Sequence, residues 1–137
     1  MSELDRGEQI ELLLDHYNSP RNYGEMEGAD VSVQGGNPGC GDIITLYVKM
    51  NGDRVEAITF TGEGCTISQA ATSMLTEEMS GATLAEIEAM DFHTIEEMIG
   101  SEMVHTRPKC ATLGLDTLKK VVMVYRGNEI RKRLGES

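Results

Sequence analysis

The chain has 137 residues, of which 39% are hydrophobic and 26% charged, a balance that suits one globular domain over 1–137. No run of 18 apolar residues is present, and the acidic start Met1-Ser2-Glu3-Leu4-Asp5 lacks the apolar stretch of a secretory leader, so a cytoplasmic protein is expected. A net charge of −11 argues against nucleic acid or an anionic membrane as a partner. The charge is uneven: residues 107–133 hold eight basic and two acidic side chains, whereas residues 1–106 hold four basic and twenty acidic ones.

Ile10, Leu13, Leu14 and Tyr17 recur at helical spacing and predict an amphipathic first helix, with Ser2 able to cap it and Pro20 ending it. Asp30-Val-Ser-Val33 reads as a short strand, and the glycine-rich stretch from Gln34 to Asp42 as irregular backbone. Two strand-like runs, Ile43–Met50 and Asp53–Phe60, flank Asn51-Gly52. That dipeptide predicts a two-residue hairpin in which Met50 faces Asp53, Val48 faces Val55, Leu46 faces Ala57 and Ile44 faces Thr59.

Thr61-Gly-Glu-Gly64 reads as a second glycine loop, followed by a helix with the stripe Ile67, Ala70, Ala71, Met74, Leu75, Met79 and a stop near Gly81. Residues 83–99 suggest one or two short helices. After the break at Thr106-Arg-Pro-Lys109, Leu115, Leu118, Val122 and Tyr125 predict a last helix ended by Gly127. The fold class expected is α+β: a small antiparallel sheet of about three strands with helices on one face.

The three cysteines, Cys40, Cys65 and Cys110, are too few for a secreted disulfide framework and odd in number. Each follows a Gly- or Pro-bearing break, and Cys65 and Cys110 each open a predicted helix. The positive end of the helix macrodipole favours thiolate, which is both the nucleophile and the soft metal ligand. A lone free cysteine is usually a buried small hydrophobe; three in polar loops point instead to chemistry. Asp42, two residues after Cys40, offers an oxygen ligand, and is otherwise a solvated loop carboxylate with little packing energy. His105, five residues before Cys110, is a weaker ligand candidate.

Four segments carry a resemblance: His16-Tyr-Asn-Ser-Pro-Arg-Asn22, Asn37-Pro-Gly-Cys-Gly-Asp42, Gly62-Glu-Gly-Cys-Thr-Ile-Ser68 and Arg107-Pro-Lys-Cys-Ala-Thr-Leu113. Through them the chain resembles the IscU/NifU/SufU iron–sulfur cluster assembly scaffolds. The resemblance implies that the three cysteines gather at one end of the sheet. It implies sulfur acceptance from a cysteine desulfurase, with Cys40, Cys65 and Cys110 as persulfide acceptors, and assembly of a transient [2Fe-2S] cluster for recipient apo-proteins. Carried over by position, the ligands for iron are Cys40, Asp42, Cys65 and Cys110.

The chain departs from the IscU pattern at Lys109, where those members carry histidine and SufU-type members carry lysine. The insertion usual in SufU between the second and third cysteines is absent, as is the Leu-Pro-Pro-Val-Lys chaperone motif of IscU. Lys109 is expected to tune the site electrostatically; as an alternative, its neutral amine replaces a ligand. The alternative functions are a zinc-dependent sulfurtransferase, with zinc on the same four residues, and a structural zinc domain. A monomer, or a weak homo-oligomer when loaded, is the expected state.

Overall fold

The computed structural model describes residues 5–37 and 41–135. Helix α1 (Arg6–Asn18) opens with a capping box: the Asp5 carboxylate accepts the Glu8 N–H at 2.8 Å, and the Glu8 carboxylate accepts the Asp5 N–H at 3.0 Å. Asp5, not Ser2, is thus the cap; Ser2 lies outside the described residues. The face that packs inward also differs from the expected stripe. Leu13 and His16 are buried, while Leu14 and Tyr17 are 47% and 42% exposed. The stripe is rotated because His16, a polar residue, belongs to the buried face.

His16 joins three segments. Its Nδ1 lies 2.7 Å from Ser73 Oγ, which also accepts the Arg21 N–H at 2.8 Å, and its Nε2 lies 3.5 Å from Glu77. Burial lowers the His16 pKa, and the nearby Arg21 charge lowers it further against the opposing pull of Glu77 and Asp15. The unfolded chain therefore takes up a proton near pH 6.5 that the folded chain still refuses. Stability should fall as pH drops below about 6.5, by at most about 1.4 kcal/mol per pH unit, until the folded value is passed. Thermal melts at pH 7.5 and 5.5 test this; His16→Gln should flatten the dependence, and an unchanged slope would assign the acid lability to other groups.

Strands β1 (Val31–Asn37), β2 (Asp42–Asn51) and β3 (Arg54–Glu63) form an antiparallel sheet in the order β1-β2-β3. The hairpin expectation holds for the pairing but not for its register. The loop is Gly52-Asp53, with Asn51 opposite Arg54 and the positive φ of 65° on Gly52 alone, as a type II′ turn requires. A bulge at Glu56 then moves the partners again, so that Val48 faces Ile58, Leu46 faces Phe60 and Ile44 faces Gly62. The bulge flips the alternation, which is why Val55 and Ile58, three apart, are both buried.

The supposed glycine loops are largely strand. β1 continues through Gly35 and Gly36, which pair with Ile44 and Ile43, and β3 continues through Gly62 and Glu63. Gly35 is needed for close approach: a Cβ there would sit 2.0 Å from Thr117 Oγ1 of the last helix. Gly35→Ala should cost about 1–3 kcal/mol through overpacking. Thr117→Ala in the same chain should return most of it. Equal denaturation midpoints for the single and double variants would show that this contact is not the cause.

Among the described residues five further helices complete the fold: α2 (Thr66–Met79), α3 (Leu84–Ala89), α4 (Phe92–Ile99), α5 (Ser101–Thr106) and α6 (Pro108–Arg133). α2 and α6 lie against the sheet, and α1 packs on α2. Ile44, Leu46, Val48, Ile58 and Phe60 from the sheet meet Ala71, Leu75, Leu115, Leu118 and Val122 in one core. Gly127 does not end α6, which runs six residues further. A mid-helix glycine costs about 1 kcal/mol, and side-chain links on this helix, such as the bidentate Arg126–Glu88 pair at 2.8 and 2.9 Å, offset it. Among the described residues no helix is long and apolar enough to cross a membrane.

Candidate metal and sulfur site

The site forms where the first residue of β2 meets the N-termini of α2 and α6. Asp42 occupies the same face of β2 as Ile44, Leu46 and Val48, and is 1% exposed. The expectation of a solvated loop carboxylate is therefore corrected: strand alternation carries Asp42 inward, and its desolvation is offset by the groups around it.

Cys65 is the N-cap of α2. Its sulfur accepts the Ser68 N–H at 3.5 Å, and its own N–H donates to Asp42 Oδ1 at 2.8 Å. Cys110 is the third residue of α6, which Pro108 opens, and is 1% exposed. Its thiol donates to Asp42 Oδ2 at 2.8 Å, and the same oxygen lies 3.8 Å from Cys65 Sγ. Burial pushes the Cys110 thiol well above the usual cysteine range, and Asp42 and Cys65 push it further by hydrogen bonding and charge. All of these favour the protonated thiol, in keeping with its 2.8 Å approach to the carboxylate.

One carboxylate oxygen and two sulfurs lie within 4.8 Å of one another. A tetrahedral ion with metal–sulfur bonds of about 2.3 Å and metal–oxygen bonds of about 2.1 Å needs ligands roughly 3.5–3.8 Å apart. The 3.8 Å between Asp42 Oδ2 and Cys65 Sγ matches that spacing, and the 2.8 Å hydrogen bond from Cys110 must open by roughly 0.8 Å as a metal replaces the thiol proton; in softness the donor set fits zinc or iron. Cys40 lies outside the described residues. Asn37 and Asp42, which precede and follow it in sequence, pair with each other at this end of the sheet.

Lys109 is exposed beside Cys110 on the first turn of α6. His105 is not at the site: it is exposed, stacks on Phe92 with centroids 5.8 Å apart, and faces Glu96 at 3.6 Å. His93 meets the same carboxylate at 2.9 Å.

Three contributors escaped the reading of the sequence. Gly64, at φ 149°, presses so close to Asp42 that an added Cβ would fall 2.1 Å from Oδ1. Buried Ser68 donates through Oγ to the Cys65 carbonyl at 3.1 Å, and buried Gln69 donates to Ser68 Oγ at 3.3 Å. The N-cap-plus-three position of Ser68 and the parity of Asp42 with Ile44, Leu46 and Val48 were available signals.

The family model for the NifU-like N terminal domain matches residues 8–132. The chain is 34% identical over 113 residues to the iron-sulfur cluster assembly scaffold protein IscU 1 of Archaeoglobus fulgidus, covering 82% of this chain and 73% of that one. It is 36% identical over 134 residues to the zinc-dependent sulfurtransferase SufU of Bacillus subtilis, covering 85% and 90%. A solved structure, a putative iron-sulfur cluster assembly scaffold protein for the SUF system from Fervidobacterium islandicum, superposes with a TM-score of 0.68 at 27% identity, over 82% of this chain and 94% of that one. The three-stranded sheet with its helices is the fold this chain shares with that solved structure, and the chain belongs to the NifU-like N terminal domain family, whose relatives here are iron–sulfur assembly scaffolds and a zinc-dependent sulfurtransferase.

Proposed function

We propose that the chain accepts sulfur from a cysteine desulfurase and assembles a transient [2Fe-2S] cluster that it passes to apo-proteins. The observation that carries this is Asp42 set between Cys65 and Cys110, an oxygen shared by two sulfurs at helix N-termini. With Cys40 the ligand set is three thiolates and one hard carboxylate. Stable clusters usually have four cysteine ligands, so one oxygen ligand suits a cluster that must leave. Lys109 places a cation beside Cys110 and offsets the negative charge of a thiolate-rich centre.

Sulfur transfer needs no net oxidant. An acceptor thiolate attacks the outer sulfur of the donor's persulfide. A new S–S bond forms, the old one breaks, and the donor cysteine leaves as thiolate with the bonding pair. Reducing each transferred sulfur to sulfide then takes two electrons from an external donor.

A second reading, a zinc-dependent sulfurtransferase, has its own supporting observation. Lys109 stands beside Cys110, and an ammonium has no lone pair for a metal, so no imidazole competes there with a Cys₃Asp zinc site. Zinc on Cys40, Asp42, Cys65 and Cys110 would hold the thiols deprotonated at neutral pH.

Anaerobic reconstitution with iron, sulfide and a desulfurase separates the two readings. A brown protein with visible charge-transfer bands, able to activate an apo-protein, is the expected result. Stoichiometric zinc that resists exchange, with sulfur acceptance but no cluster, would reverse the order.

A further inference from the structure

We propose that the outward face of α6 is the docking track of the sulfur-donor enzyme, an inference that rests on the sulfur-acceptor reading above. Met123, Ile130 and Leu134 stand at i, i+7 and i+11 and so share one line along the helix. They are 73%, 48% and 72% exposed, an unusual concentration of large apolar side chains on a chain this acidic. Lys119 and Arg133 flank the line on one side, Lys120 and Arg131 on the other. The helix thus presents an apolar ridge between two cationic rails.

The rails define the occupant. A second copy of α6 laid on the first would set cations against cations, which disfavours self-pairing. An anionic lipid surface would have to approach a body of net charge −11. A protein groove that is apolar at its floor and acidic at its rim matches both features.

The track also leads to the chemistry. Lys109 lies about 40° to one side of this line, fourteen residues before Met123, or about 21 Å along the helix. A partner gripping Met123–Leu134 and extending along this face reaches the first turn of α6, at the edge of the site that Asp42, Cys65 and Cys110 form. That continuity selects the sulfur donor as occupant.

The test uses the full chain and the cysteine desulfurase of the same organism. Met123→Glu with Ile130→Glu alters only exposed side chains, so helicity and zinc content should be unchanged. Its Kd for the desulfurase, and the KM for the chain as sulfur acceptor, should rise at least ~30-fold with kcat unaltered. Lys120→Glu with Arg131→Glu should weaken association roughly 10-fold at low salt and remove most of its salt dependence. If the unaltered chain binds the desulfurase and both variants bind equally well, the track is not the docking surface, even where the variants lose a recipient apo-protein instead. If the unaltered chain neither binds the desulfurase nor accepts sulfur, the sulfur-acceptor reading fails and this inference with it.

Discussion

Gly64→Ala is expected to weaken metal binding by about 100-fold in a chain that still folds. The alanine Cβ would lie 2.1 Å from Oδ1 of Asp42, 2.8 Å from its Cγ and 3.0 Å from its Cα. The last of these is backbone of β2 and cannot step aside as a flexible side chain could. The φ of 149° is itself poorly tolerated by a residue with a Cβ. Strain of this kind costs about 1–3 kcal/mol. The carboxylate must therefore leave its place between Cys65 and Cys110. Displacing a group that orients or supplies a ligand commonly lowers metal affinity about 10–100-fold, and here one residue does both, so the upper end is expected. Competition against a chromophoric zinc chelator measures this directly. Zinc affinity equal to that of the unaltered chain would mean that Asp42 can move without loss, and that the tight packing at Gly64 serves the fold alone.

The same glycine marks the limit of what sequence reading could reach. The glycine-rich character of both segments was visible, and so was its association with the cysteines. What glycine did there was not. Gly35 and Gly62 lie inside strands, where they leave room for Thr117 and for the Ile43 carbonyl and Ile44 side chain rather than make a loop. Flexibility and close approach have the same composition, and only the partner across the gap tells them apart. The register of the hairpin, though not its pairing, differed for a related reason. Asn-Gly signals a turn, but one extra residue at Glu56 reverses every later side chain, and a bulge leaves no mark in a run of β-formers. In α1 the apolar count pointed to Tyr17 and Leu14, whereas burial followed His16, whose partners Ser73, Arg21 and Glu77 are distant in sequence. The helix starts at Cys65 and Cys110 were legible because they depend on neighbours: a glycine before the first, and Pro108 at the first position of α6 before the second.

Asp42→Ala and Asp42→Asn should separate the structural work of this carboxylate from its ligand role. In the alanine variant the Cys65 N–H loses its 2.8 Å acceptor and the Cys110 thiol loses its own. An unsatisfied buried donor costs about 1–3 kcal/mol, so the metal-free chain should melt roughly 3–10 °C lower. Asparagine keeps the shape. Its amide oxygen can still accept the Cys65 N–H, but its amide nitrogen has no lone pair for a thiol hydrogen or a metal. The Asp42→Asn chain should therefore regain most of the lost stability while binding zinc as weakly as the alanine variant. The two measurements are independent, a melting curve without metal and a chelator competition with it. Equal zinc affinity in Asp42→Asn and the unaltered chain would remove Asp42 from the ligand set and leave it as a cap on α2. Equal melting temperatures in Asp42→Ala and the unaltered chain would mean that water takes over the Cys65 N–H, and that the buried position of Asp42 is held for the metal alone.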